Sequence, residues 1–325
     1  MTWEEILLAD GRLRPAWRFF LSLILIVMVS VGVGIVLGIA FDLAGYRPQF
    51  FPSLFWSHLL TLPAYLGVFK LLTTVFEGRP LGSIGIRLHR RWKLELVGGL
   101  GLGSLMVLVV AALEQALGLA TFSRDPTAAT GVLKSGVFFC GLLLIAASNE
   151  ELAFRGYAFQ RLVESIGAGG AIAISSAVFG LGHLINPHHT WLSTLNTALV
   201  GILFAVAYLR TRALWLPIGM HFAWNFLMGY ALGLPVSGLV IPTAVLKTEA
   251  RGSVWLTGAN YGPEGSLLAT VAIVGATFCV LLSRRIYISE EMRELVFGAA
   301  PSRVAAGAQG EAPSASGEQS RDRPG

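Results

Sequence analysis

The chain is poor in charge and almost free of cysteine. Asp, Glu, Lys and Arg make up 13% of its 325 residues, against about 25% in soluble domains. That shortage excludes an ordinary water-facing globular surface. Two cysteines, Cys140 and Cys279, both fall inside apolar runs. There is therefore no disulfide framework and no CxxC or zinc-finger spacing. The zinc-protease pattern His-Glu-x-x-His is absent. No small-residue cleavage site follows the first apolar run, which is too long for the core of a cleaved signal peptide. No internal repeat points to an inverted-repeat transporter. The net charge of +5 calls for no nucleic-acid partner, because the basic residues lie mostly in short loops between apolar runs, where they set topology.

What the chain does have is hydrophobicity. It is 54% apolar, with a mean hydropathy of +0.67. Runs of about 20 apolar residues are candidate membrane helices. Eight stand out, at roughly 17–41, 52–75, 95–117, 135–161, 168–186, 190–209, 213–233 and 264–283. The expected fold is all-α, a polytopic membrane helix bundle of about eight transmembrane helices over residues 17–285, with its motif core at 135–233. Residues 1–16 form an N-terminal segment. Residues 286–325 form a tail whose Ala, Gly, Ser and Pro composition beyond about Ala299 predicts disorder. Thr2-Trp-Glu-Glu5 resembles a capping box, and Ser289 is placed to cap a helix through Phe297.

With eight spans, one side of the membrane collects Arg12, Arg14, Arg18, Arg79, Arg87, Arg90, Arg91, Lys93, Arg210, Arg212, Arg284 and Arg285. The other side has Arg47, Arg124, Lys134, Lys247 and Arg251. The positive-inside rule then predicts a multi-pass protein of the cell membrane with both termini cytoplasmic.

Charge inside the apolar runs carries the chemistry. Glu150, Glu151 and Arg155 lie in the fourth run. A charge at the bilayer centre costs roughly 2.5–3.5 kcal/mol, so three unpaired ones would cost on the order of 8 kcal/mol. They must pair, face a wet cavity or do chemistry. Glu151 and Arg155 are i and i+4 and can pair on one helix face. Glu150 is rotated by about 100° from Glu151 and can point elsewhere. The bland alternative is an ion pair that only holds the bundle together. The next run contains Phe179-Gly-Leu-Gly-His183. Phe179 lies one turn below His183 and is expected to pack against its ring, while Gly180 and Gly182 let another helix approach. His183 alone reads equally as a hydrogen-bonding core residue. In the seventh run His221 and Asn225, again i and i+4, can aim two hydrogen bonds at one point, which a developing oxyanion needs. Glu150, His183, His221 and Asn225 all fall within the interior of their runs, roughly 12–23 Å from a membrane face, so three helices can serve one cavity.

Other polar residues read more plainly. Lys70 can snorkel, Glu114 reads as interfacial, His188 and His189 as an exposed turn, and His58 with Trp56 as an interfacial anchor.

Together, Glu150-Glu151-Leu-Ala-Phe-Arg155, Phe179-Gly-Leu-Gly-His183 and His221-Phe-Ala-Trp-Asn225 resemble the motif set of the CAAX protease and bacteriocin-processing family. That family is also called Abi, or the type II CAAX prenyl endopeptidase family. The resemblance implies an intramembrane endopeptidase. Glu150 and His183 would hold and activate water, His221 and Asn225 would stabilise the oxyanion, and Glu151, Arg155 and Phe179 would support the site. The implied partners are the lipid bilayer and a peptide or membrane-protein substrate.

The residues themselves fit peptide hydrolysis by a glutamate base, since no serine or cysteine sits beside a histidine in these motifs. No cofactor is favoured. Zinc held by Glu150, His183 and His221 is the alternative, making a metalloprotease. Competing classes are a transporter that uses the same groups as a proton relay and a membrane scaffold without activity.

Overall fold

The computed structural model describes residues 3–9, 11–124 and 131–297. The Thr2 end of the expected capping box and the expected disordered tail beyond about Ala299 lie outside the described residues.

Every one of the eight apolar runs is helical. After a short helix α1 (Trp3–Leu7) come α2 (Pro15–Leu43), α3 (Phe50–Leu72), α4 (Trp92–Ala116), α5 (Val132–Arg155), α6 (Tyr157–Gly182), α7 (Trp191–Thr211) and α8 (Trp215–Asn225). A four-residue turn of helix, α9 (Val254–Thr257), precedes α10 (Leu267–Leu282), and α11 (Glu290–Phe297) closes the described chain. Pro15 starts α2, where its missing N–H costs nothing. Thr190 and Ser193 form a reciprocal capping box that starts α7. Ser289 accepts from the Met292 amide at the start of α11, as its position predicted.

Five helical stretches are long and apolar enough to cross a membrane: Pro15–Leu43, Phe50–Glu77, Trp92–Ala116, Val132–Ile185 and Trp191–Thr211. The fourth is 54 residues long, well over twice what a bilayer needs, because it folds back on itself. It breaks at Gly156, where a Cβ would collide with the Leu152 carbonyl, and at Gly167, whose φ of 78° suits glycine alone. The two shorter apolar helices are α8, which continues in wide turns over Phe226–Ala231, and α10, of 16 residues. Eight helices correspond to the eight expected apolar runs, but among the described residues only the five stretches above have the length and hydropathy of a membrane crossing, so the helix bundle is seen and the count of eight spans is not. The eighth helix also starts at Leu267 and not at 264.

The helices are joined by a little sheet structure that the all-α expectation omitted. Strands β1 (Leu8–Ala9) and β2 (Arg12–Leu13) form one short ladder, and β3 (Ala120–Arg124) and β4 (Leu246–Ala250) another, antiparallel, with Ala120 opposite Ala250. Glu114, expected at an interface, is instead 1% exposed. It shares the inward face of α4 with Val107 and Val110, which sit seven and four residues earlier.

The bundle has two unlike ends. At one end Arg18 and Arg161 both pair with Glu77, at 2.6 and 2.5 Å. Arg91 donates to the Tyr287 hydroxyl and the Arg285 carbonyl, Arg210 to the carbonyls of Ser283 and Ile286, and the Arg90 amide to Glu291. The loops rich in Arg therefore gather at this end. The β3–β4 ladder, the turn through His188 and His189 (both exposed, as expected), and the segment from 232 to 266 lie at the other.

Helices α4 and α8 meet backbone to backbone. A Cβ at Gly99 would strike the Leu216 carbonyl, one at Gly103 the Met220 carbonyl, and one at Gly219 the Leu96 carbonyl. Small residues permit such approach in membrane bundles. Gly103→Ala is expected to push α8 away and to cost about 1–3 kcal/mol, since no side chain can rotate to relieve the clash. A melting curve in detergent measures this; an unchanged Tm would mean that the two helices have slack. Gly180 makes the same kind of contact with Thr194 and Ala198 of α7, whereas Gly182 faces open space, contrary to expectation.

Candidate active site

The charged trio on α5 divides as its spacing predicts. Arg155 Nη1 lies 3.3 Å from Glu151 Oε1, and both side chains are fully buried. Arg155 has other partners as well. Its Nη2 donates to the Gly201 carbonyl of α7 at 3.1 Å, and its guanidinium lies 4.5 Å from the Phe179 ring centre on α6. One side chain thus ties three helices. The Glu150 side chain is 34% exposed and points into a cavity.

Glu151 does a second job that sequence spacing did not show. The same Oε1 accepts a hydrogen bond from Nδ1 of His221 on α8 at 3.0 Å. A carboxylate acceptor fixes the Nδ1–H tautomer, so His221 presents Nε2 to the cavity. That Nε2 lies 3.8 Å from Glu150 Oε2. The gap is too long for a direct hydrogen bond. The His221 ring stacks on Phe204, with centroids 5.2 Å apart, and meets Phe179 edge-on.

His183 is oriented in the same way. Its Nδ1 donates to the Phe179 carbonyl at 2.7 Å, which leaves Nε2 free. Its ring packs on Phe179 at 4.8 Å, as expected. It does not sit inside the helix, however. It is the C-terminal cap of α6, where a short tight turn begins. The expected interior depth is corrected to a helix end, because the apolar run continues past the point where the backbone turns. Glu150, His183, His221 and Asn225 all line one cavity of about 340 Å³.

The cavity also holds residues that were read otherwise or passed over. His58, read as an interfacial anchor, lines it from α3. Asn149, next to Glu150, donates to His58 Nδ1 at 3.2 Å and to the His58 carbonyl at 2.8 Å. An amide donor on Nδ1 puts the proton on Nε2 in neutral His58. The available signal was a histidine within an apolar run, the same signal that singled out His183. Glu264, from the loop before α10, lines the cavity too and accepts from Trp224 Nε1 at 3.0 Å and from the Ser237 hydroxyl at 2.9 Å. Burial pushes its carboxyl above the usual range, against the pull of those hydrogen bonds.

One comparison bears on the family reading. Residues 132–227 match the family model of Rce1-like type II CAAX prenyl endopeptidases. The match runs from the start of α5 to just past Asn225 and so contains all three motifs. The chain matches no curated protein and no solved structure.

The zinc alternative can be tested on the donors themselves. The free Nε2 atoms of His183 and His221 are what a metal would need. Among the described residues, however, no three His, Cys, Asp or Glu side chains converge closely enough to hold one ion. Glu150, His183 and His221 share a cavity without forming a ligand set.

Proposed function

We propose that this chain is an intramembrane endopeptidase that hydrolyses peptide bonds of membrane-associated substrates with water activated by Glu150. The observation that carries the proposal is the Glu151–His221 hydrogen bond, which holds the imidazole ring with its Nε2 toward Glu150 inside a walled cavity.

The chemistry follows from the placement. Glu150 takes a proton from a water held beside it and His183 as the water oxygen attacks the peptide carbonyl. The carbonyl oxygen gains negative charge, and His221 Nε2 and the Asn225 amide donate to it. For His221 to donate from Nε2 while Nδ1 serves Glu151, the ring carries both protons. The group of Glu150, Glu151, Arg155 and His221 is then neutral overall, the favourable state for charges in a poorly hydrated site. Glu150 next passes its proton to the leaving nitrogen, the C–N bond breaks, and the products are a carboxylic acid and an amine. A covalent route has less support: Ser148 donates back to the Leu144 carbonyl of its own helix.

Asn225→Ala is expected to lower kcat by roughly 10²–10³ with little change in KM. Steady-state assay of a fluorogenic peptide in detergent measures this, and a loss expressed only in KM would remove Asn225 from the oxyanion role. Activity is also expected to survive exhaustive chelation. Loss on chelation with recovery on added zinc would replace the water-only mechanism with a metalloprotease one and leave the peptidase assignment standing.

A further inference from the structure

We infer that the cavity takes its substrate from the extracytoplasmic side of the membrane, as a polypeptide segment presented at the outer face. The substrate class rests on the peptidase reading above. The access route rests on charge and packing alone.

Charge sets the sidedness. The segments carrying Arg87, Arg90, Arg91, Arg210, Arg284 and Arg285 gather at one end of the bundle, held by the bonds from Arg91 and Arg210 to the chain around 283–287. The opposite end offers few basic groups, and two of them, Lys247 and Arg251, lie beside Glu249 at 3.9 and 3.2 Å. By the positive-inside rule the Arg-rich end faces the cytoplasm.

Packing then decides which end feeds the site. Between Glu150 and the Arg-rich end the helices close on a buried layer that includes Phe69, Leu152, Phe159, Tyr208 and Leu214, none more than 2% exposed. Fully buried Arg155 seals the same level. The cavity runs the other way. Its lining extends from Glu150 and His221 to Phe50, Asn186, Ser237 and Leu239, which belong to the first turn of α3 and to loops at the Arg-poor end. Phe50 is 57% exposed. The mouth is apolar at Phe50 and Leu239 and carries an amide at Asn186, a surface suited to an apolar peptide with a polar backbone.

The test uses the full chain in cells with Cys140→Ser and Cys279→Ala. Single substitutions Leu239→Cys at the mouth and Arg285→Cys at the opposite end are treated with a membrane-impermeant maleimide before and after permeabilisation. Leu239→Cys is expected to label in intact cells and Arg285→Cys only after permeabilisation. His189→Cys, on an exposed turn at the mouth end, supplies the same reading if Leu239→Cys fails to accumulate. Labelling of the mouth positions only after permeabilisation overturns the access route whether or not the protein is a peptidase. In parallel, new N-termini are mapped by mass spectrometry in cells with the native chain and with Glu150→Gln. Glu150-dependent cuts in outer segments support the proposal, and cuts confined to cytoplasmic segments overturn it. If no Glu150-dependent cut appears at all, the substrate half of the inference falls together with the peptidase reading, while the labelling still decides access.

Discussion

Glu150→Gln should reduce peptide cleavage by about 10³-fold or more while membrane abundance and Tm stay near those of the native chain. Removing a general base costs roughly 10²–10⁴ in rate. Here the loss should fall in the upper part of that range, because in the proposed mechanism Glu150 also returns a proton to the leaving nitrogen. Stability should be spared because the Glu150 side chain is partly exposed to the cavity, and its nearest charged contact, His221 Nε2, is 3.8 Å away. The amide keeps the shape and the hydrogen-bonding capacity while losing the basicity. Turnover within tenfold of native at equal abundance would take the base role away from Glu150.

Substitution at the next residue should behave differently. Glu151→Ala should lower both stability and activity. Breaking a buried ion pair by removing one partner costs about 3–5 kcal/mol. The lower figure, about 3 kcal/mol, is expected, because Arg155 keeps the Gly201 carbonyl and the Phe179 ring. Activity should fall by at least about 10²-fold even where the protein remains folded, since His221 loses the acceptor that fixes its tautomer and ring plane. Glu151→Gln separates the two roles. It keeps an oxygen for His221 Nδ1 but loses the charge facing Arg155, so it should recover more activity than stability. Equal loss of activity in both variants, with Tm restored in Glu151→Gln, would mean that charge and not orientation is what His221 needs from this position.

These two outcomes separate adjacent carboxylates that look alike in the sequence. Their division into a paired and a free group was legible because it depends only on the rotation per residue of one helix. The shared face of His221 and Asn225 was legible for the same reason, as was the contact of Phe179 with His183. In each case the partners lie within one turn, and helix geometry fixes their relation whatever surrounds them.

Other features did not follow from local geometry. The contact between Glu151 and His221 joins positions 70 residues apart and depends on how α8 is rotated against α5. His58 looked like an interfacial residue because nothing near it in the chain is polar enough to mark a site. Its ring is held by Asn149, 91 residues away. Glu264 fell at the start of an expected span because its neighbours downstream are apolar. Only the turns before α10 show it to be a loop residue that lines the cavity. His183 was expected inside a helix because hydropathy does not report where the backbone leaves the helical path.

By itself, then, the sequence determined the helices, their order, the asymmetry of charge between loops, and the side-chain pairs within single turns. All of these are properties of local composition and spacing. The tertiary structure decided which faces meet, how deep each group sits, and at which end the cavity opens. Those depend on where backbones can touch, at Gly99, Gly103 and Gly219, and on where the chain turns, at Gly156 and Gly167. A glycine is the same letter at a close contact as in open space, so only the packed bundle distinguishes Gly180 from Gly182, or Glu151 from Glu150, by what each one touches.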